Sequence, residues 1–172
     1  MIEFLLHGIP VLFAVGSFWS NTERKLLILN LGLCVAIASL LVFEQAWGGV
    51  VTIVVAGLST SYRLITQRLL HATTTYVILF FMTLIVAAIN NMTGNTGLIE
   101  LMPVLTFMLY RFGELHCKEV GLRICIALGS LNFSTYGVLT ETWGLAITEG
   151  LFVVSNVWYL IKLRKGMAVS AV

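Results

Sequence analysis

The chain has 172 residues, of which 59% are hydrophobic and 10% charged, with a formal net charge of +2 and a mean hydropathy of +0.98. A water-soluble domain carries about 25% charged residues, so a soluble enzyme is excluded. Near-neutral charge excludes a nucleic-acid-binding surface, and the three cysteines, Cys34, Cys117 and Cys125, make no disulfide framework. What these figures leave is a polytopic, all-α membrane protein.

A hydrocarbon core about 30 Å thick takes roughly 17–25 apolar residues per helix. Seven apolar runs approach that length: 2–19, 26–43, 47–65, 73–89, a short one at 97–110, 120–139 and 143–161. The first has no basic residue ahead of it and runs straight into the pattern, which predicts a retained helix rather than a cleaved leader. The fifth is bracketed by Glu100 and Arg111 and is kept because of the charges. With seven spans, Arg24, Lys25, Arg63, Arg68, Arg111, Lys118, Arg123, Lys162, Arg164 and Lys165 all lie in or beside loops on one side. The positive-inside rule then puts the C-terminus in the cytoplasm and the N-terminus outside. These basic residues read mostly as cytoplasmic anchors, with Arg63 close enough to reach Glu23.

Sliding the chain on itself by 96 residues lays WGGVVTIVVAGLSTSYRLITQR (47–68) over WGLAITEGLFVVSNVWYLIKLR (143–164), with seven identities in 22 positions. The two prolines add to this: IPVL, containing Pro10, matches MPVL, containing Pro103. Both are expected to kink or hinge their helices. Residues 1–68 and 96–165 thus read as two copies of a three-helix unit, with 69–95 supplying a linker helix and 166–172 a short cytoplasmic tail. Two units in the same orientation need that extra span, which gives a parallel 3+1+3 arrangement of the kind found in SWEETs.

Polar groups inside the spans are the candidates for function. Glu149 lies about 9 Å below the outer interface at 1.5 Å per residue, where an ionisable side chain marks a site by default. It either exchanges a coupling proton or binds a cationic or hydroxyl-rich solute; the alternative is a structural glutamate bonded to a neighbouring helix. His7, Asn132 and Tyr136 fall at a similar depth and are expected to line an outer-half cavity with it. Deeper, Asn156 corresponds to Thr60 and Ser155 to Ser59 under the repeat, near the midplane where such transporters place substrate. For each, plain interhelical hydrogen bonding is the competing reading. No metal cluster, nucleophile–base pair or phosphate loop is apparent in the sequence, so no enzyme activity, cofactor or metal is expected.

The sequence also resembles the YgjV-type bacterial inner-membrane proteins, associated with the PQ-loop/SWEET-like superfamily. The matching stretches are NTERK (21–25), YRLITQR (62–68), ELMPVLTF (100–107), and the run from GLRICIA (121–127) through LNFSTYG (131–137) to ITEGLFVVSNVWYLIK (147–162). The resemblance implies the fold and the bacterial inner membrane. In sugar-transporting relatives a seventh-helix asparagine and its third-helix counterpart contact substrate, which by resemblance points to Asn156 and Thr60. The Pro-Gln motif is absent, and the second and sixth spans lack the proline of those relatives, so sugar is not implied. The expected function is transport of a small polar solute, with proton coupling one option, by a monomer or homodimer in the lipid bilayer. The alternative is a non-transporting receptor or assembly factor.

The orientation predicts that a fluorescent protein fused after Lys165 is bright and a periplasm-dependent phosphatase fused there is inactive. Fusions after residue 95 are expected to give the opposite pair.

Overall fold

The computed structural model describes residues 2–43, 47–92, 99 and 101–165, and their side chains except at 2–7, 40, 41, 47–49, 51, 52, 86, 89 and 90. Glu44, Glu100, the side chains of Glu3, His7 and Trp47, and the tail at 166–172 lie outside the described residues. Within them the chain forms seven α-helices and no strand: α1 (Ile2–Gly16), α2 (Glu23–Phe43), α3 (Trp47–Thr66), α4 (Ala72–Met92), α5 (Leu101–His116), α6 (Glu119–Leu139) and α7 (Trp143–Arg164). One 3₁₀ turn, Ser17–Trp19, prolongs α1.

Local chemistry sets the ends. Thr22 accepts the Lys25 N–H at 3.3 Å, satisfying a free donor at the start of α2. Glu119 lies in the first turn of α6, and Lys162 and Arg164 in the last turn of α7, each charge opposing the nearby helix dipole end. The α6–α7 reversal needs only Thr140–Thr142: Glu141 takes a left-handed φ of 58°, and the Thr142 N–H closes on the Gly137 carbonyl at 2.7 Å.

Two expectations change. The fifth helix does not stop at Tyr110 but runs to His116. Arg111 does not end it because Glu114, three residues on, neutralises it inside the bundle. Pro103 lies in the first turn of α5 as described, where a missing N–H breaks no intrahelical bond, so it does not hinge the helix. Pro10 is inside α1 and does remove one.

α1 packs on α2 and α7; α2 packs on α3; α3 packs on α5 and touches α4; α5 packs on α4 and α6; and α6 and α7 share the broadest contact. Glycine allows the closest approaches. A Cβ at Gly137 would stand 2.8 Å from the backbone nitrogen of Ala146 on α7, and one at Gly113 would stand 2.7 Å from Cys125 Cβ on α6. Small residues at crossings are how membrane helices gain contact when hydrocarbon surrounds them.

The distribution of polarity is inverted relative to a protein in water. Leu12, Ile65, Phe80, Phe81, Met92 and Trp143 are exposed, while Arg111, Arg123, Glu114, Glu149 and Asn156 are almost fully buried. α6 and α7, of 21 and 22 residues, are long and apolar enough to cross a membrane, about 32 Å at 1.5 Å per residue. Apolar stretches at Gly8–Trp19, Ile53–Thr66 and Ala72–Ile85 are shorter. Such a surface is stable only against lipid, where helices satisfy their own backbone groups.

Gly137→Val is expected to lower stability by about 1–3 kcal/mol through overpacking, because the obstructing atoms are backbone and cannot rotate away. Gly144→Ala meets nothing within 4 Å and is expected to leave the detergent melting temperature unchanged.

Candidate functional site

The extended α5 organises the interior. At helical spacing it turns Thr106, Tyr110, Glu114 and the neighbouring Phe107 and Arg111 towards α2, α3, α6 and α7.

The first cluster joins α5 to α3 and α2. Arg111 Nη1 lies 2.6 Å from Glu114 Oε2 and donates to the Ala56 carbonyl at 2.5 Å, to Ser59 Oγ at 2.6 Å and to Thr60 Oγ1 at 3.0 Å. Glu114 also accepts from Thr60 at 2.9 Å, from Ser59 at 3.3 Å and from Asn30 Nδ2 at 2.6 Å. The two charged side chains are 2% and 1% exposed, so neither has bulk water as an alternative partner. Arg111 Nε is left without one.

The second cluster joins α5, α6 and α7. Tyr110 donates its hydroxyl proton to Glu149 Oε2 at 2.6 Å, which leaves Ser130, also at 2.6 Å, to donate to the Tyr110 oxygen. Glu149 is 2% exposed, and among the described residues no cation forms an ion pair with it. A cavity of about 10 Å³ lies between the two clusters, lined by Asn30 and Tyr110 with Leu26, Leu33, Ile126 and Phe152. That is room for about one water. Asn30 touches Glu114 and Tyr110 touches Glu149, so one small void separates the partners of two buried carboxylates.

The third cluster lies where α6 and α7 meet the α1–α2 connection. Arg123, 1% exposed, donates to the Ser20 carbonyl at 2.6 Å, to Glu119 at 3.4 Å and to Asn156 Oδ1 at 3.5 Å. Its guanidinium carbon lies 3.5 Å from the centre of the Tyr159 ring, a desolvated cation–π contact. Tyr159 in turn donates to Glu119 at 2.7 Å. Arg63 on α3 is bonded to Glu23 on α2. The Nε of Arg123, the Nη1 of Arg63 and the Oγ of Ser20 have no partner.

A family model described as Imp-YgjV, bacterial inner membrane protein, matches residues 1–166. The chain belongs to this family. No curated protein and no solved structure matches it. Membership places it in the bacterial inner membrane, in keeping with the inverted polarity above.

The residues singled out from the sequence are divided among these clusters. Glu149 is buried but meets Tyr110 and Ser130. Asn132 is used between helices, with Nδ2 donating to the Met102 carbonyl at 2.6 Å and to Thr106 at 2.9 Å on α5, because a free amide in an apolar interior is costly. Tyr136 stacks on Phe133 at 5.7 Å. Thr60 binds Glu114, whereas its counterpart Asn156 meets Arg123 and donates back to the Phe152 carbonyl one turn earlier in its own helix. His7 lies in α1, with its side chain outside the described residues. Arg63, Arg111 and Arg123 are not surface anchors but interior groups, each 6% exposed or less. Sequence reasoning missed Tyr110, Arg111, Glu114, Ser130 and Arg123; an i, i+3 pair of opposite charges in LYRFGELH, with the apolar period running through it, was the available signal.

Glu114→Ala leaves Arg111 charged, buried and unpaired, and is expected to cost about 3–5 kcal/mol. Unfolding in detergent is expected to show most of that loss recovered by the double variant Arg111→Leu with Glu114→Leu.

Proposed function

We propose that the protein is a seven-span, proton-coupled transporter of a small polar solute, seen with its central pathway closed. The observation that carries this reading is the pair of buried carboxylates, Glu114 and Glu149, whose partners Asn30 and Tyr110 line one water-sized cavity. The Arg111 guanidinium fixes the charge of Glu114. Among the described residues no cation fixes that of Glu149, which makes it the group to take up and release the coupling proton. Tyr110 and Ser130 form the hydroxyl chain through which the proton reaches the cavity, and Thr60 and Asn156 orient solute when the void widens. No reaction at a solute bond is part of this reading.

Two parallel three-helix units, α1–α3 and α5–α7, rocking about the cavity with α4 as linker, provide the motion. What supports the repeat is the pattern of cross-unit contacts. α1 packs on α7 as α5 packs on α3, the relation a two-fold axis along the membrane normal generates. Ser155 bonds to Ser17 on α1 at 2.6 Å, and its counterpart Ser59 reaches Arg111 and Glu114 on α5. Glu23 and Glu119 are also equivalent at the repeat offset, and each accepts from the third helix of its own unit, through Arg63 and Tyr159. The SWEET-like arrangement, with N-terminus outside and C-terminus in the cytoplasm, belongs to this proposal.

The second reading, a receptor or assembly protein, is favoured by one observation: the interior polar groups largely satisfy one another around a void too small for a solute. Melting of the detergent-purified protein against sugars, amino acids, nucleosides and vitamins, at two pH values, separates the two. A solute present at a hundred times its dissociation constant is expected to add about 2.7 kcal/mol of stability. Glu149→Gln is expected to remove the pH dependence of that gain, and Tyr110→Phe to weaken it. If no solute stabilises the wild type and Glu149→Gln merely raises stability, the receptor reading replaces transport.

A further inference from the structure

The outer face of α4 is apolar, with Tyr76, Val77, Phe80, Phe81, Leu84 and Ile85 all exposed. Where α4 leans on α5, the two helices leave an open groove of about 500 Å³. Tyr76, Phe80, Leu84 and Ala87 form one wall, and Leu105 and Phe112 form part of the other. From Tyr76 to Ala87 the groove rises about 16 Å at 1.5 Å per residue, which is half of a hydrocarbon core about 30 Å thick. It covers the middle of α4 and of α5 and stops about a turn short of either end of each.

One end of the groove is closed and basic. Tyr76 stacks on Phe112 at 6.1 Å, and Phe112 meets the His116 ring at 5.3 Å. Below them the α3–α4 connection is clipped to the end of α5: the Leu70 N–H donates to the Leu115 carbonyl at 2.8 Å, and the Leu70 carbonyl faces His116 Nδ1 at 3.4 Å. That clip brings Arg68 and His71 to the same end as His116 and Lys118. Arg68, His71 and Lys118 are all exposed. No acidic residue occurs in the connection between Thr66 and Ala72, and Glu119, just beyond Lys118, is engaged by Arg123 and Tyr159.

We infer that this groove holds one acyl chain of an anionic phospholipid whose headgroup rests on Arg68, His71 and Lys118. Charge and length both point to a lipid. Basic residues at a helix end attract anionic headgroups, and a slot about 16 Å long matches a single acyl chain, whereas a partner helix would run along the full core of about 30 Å. Assignment to the inner leaflet rests on the orientation proposed above. Binding itself does not, because it is measured in detergent, where no leaflet exists.

The test compares the melting temperature of the purified full chain with dioleoylphosphatidylglycerol, dioleoylphosphatidylcholine or glycerol phosphate added. Phosphatidylglycerol at a hundred times its dissociation constant is expected to raise the melting temperature by about 5–10 °C, and the other two to leave it in place. Arg68→Gln with Lys118→Gln is expected to abolish the preference for the anionic lipid. Ala87→Trp, which fills the slot, is expected to abolish the shift, whereas Ala88→Trp, exposed but off the groove, keeps it. Equal stabilisation by both lipids overturns the proposal, as does a shift with glycerol phosphate alone, or one that survives Ala87→Trp. Dimerisation through α4 without lipid assigns the groove to a second copy. If Ala87→Trp does not fold, the charge variant decides by itself.

Discussion

The buried Arg111–Glu114 pair is the constraint around which the interior is arranged. In water the apolar effect brings helices together; in a bilayer lipid tails are as apolar as leucine, so association depends on packing and on polar groups that have no other place to go. A guanidinium and a carboxylate on consecutive turns of α5 can enter the bundle only if neighbouring helices supply the rest of their hydrogen bonds. α3 supplies the Ala56 carbonyl, Ser59 and Thr60, and α2 supplies Asn30. The pair thereby ties α5, in the second half of the chain, to α2 and α3 in the first. The cost of desolvating both charges is offset only while the whole set is assembled, which makes the seam between the halves specific as well as cohesive.

The other seams follow the same rule with different chemistry. Ser17 and Ser155 join α1 to α7 with neutral hydroxyls, and Arg123 uses a backbone carbonyl, an acid and an aromatic face at once. Against this background Glu149 differs, since it accepts from the Tyr110 hydroxyl and, among the described residues, no cation pairs with it. It sits one tyrosine away from a water-sized void. The lipid groove lies on the opposite flank of α5 from this interior, so occupancy there bears on how firmly α4 holds the helix that carries the central pair.

The class of protein, the number of helices and most of their limits were legible in the sequence because they depend on local quantities: the length of apolar runs and the placement of breakers. Helix α5 shows where that logic stops. A charge at the end of an apolar run reads as the edge of the membrane, and Arg111 was so interpreted, yet its neutralising partner lies one turn further along the same helix. The site is a similar case. Glu149 stood out because an acid deep in an apolar helix is costly anywhere. The partners did not stand out: Tyr110 and Ser130 are unremarkable in their own helices, and Asn132 at a similar depth turns to α5 instead.

By itself the sequence determined that this chain lives in a membrane as a set of helices and that Glu149 is an exceptional residue. Those facts rest on hydropathy and the desolvation of one charge, each of which acts within a helix. Only the tertiary structure decided which polar groups meet, because a hydrogen bond between helices depends on rotation and depth to within about an ångström, and neither is encoded in any one segment. It was likewise the packing of α3 against α5 that turned Arg111 and Glu114 from apparent boundary charges into a buried pair, and the fit of α4 beside α5 that left an apolar slot between them.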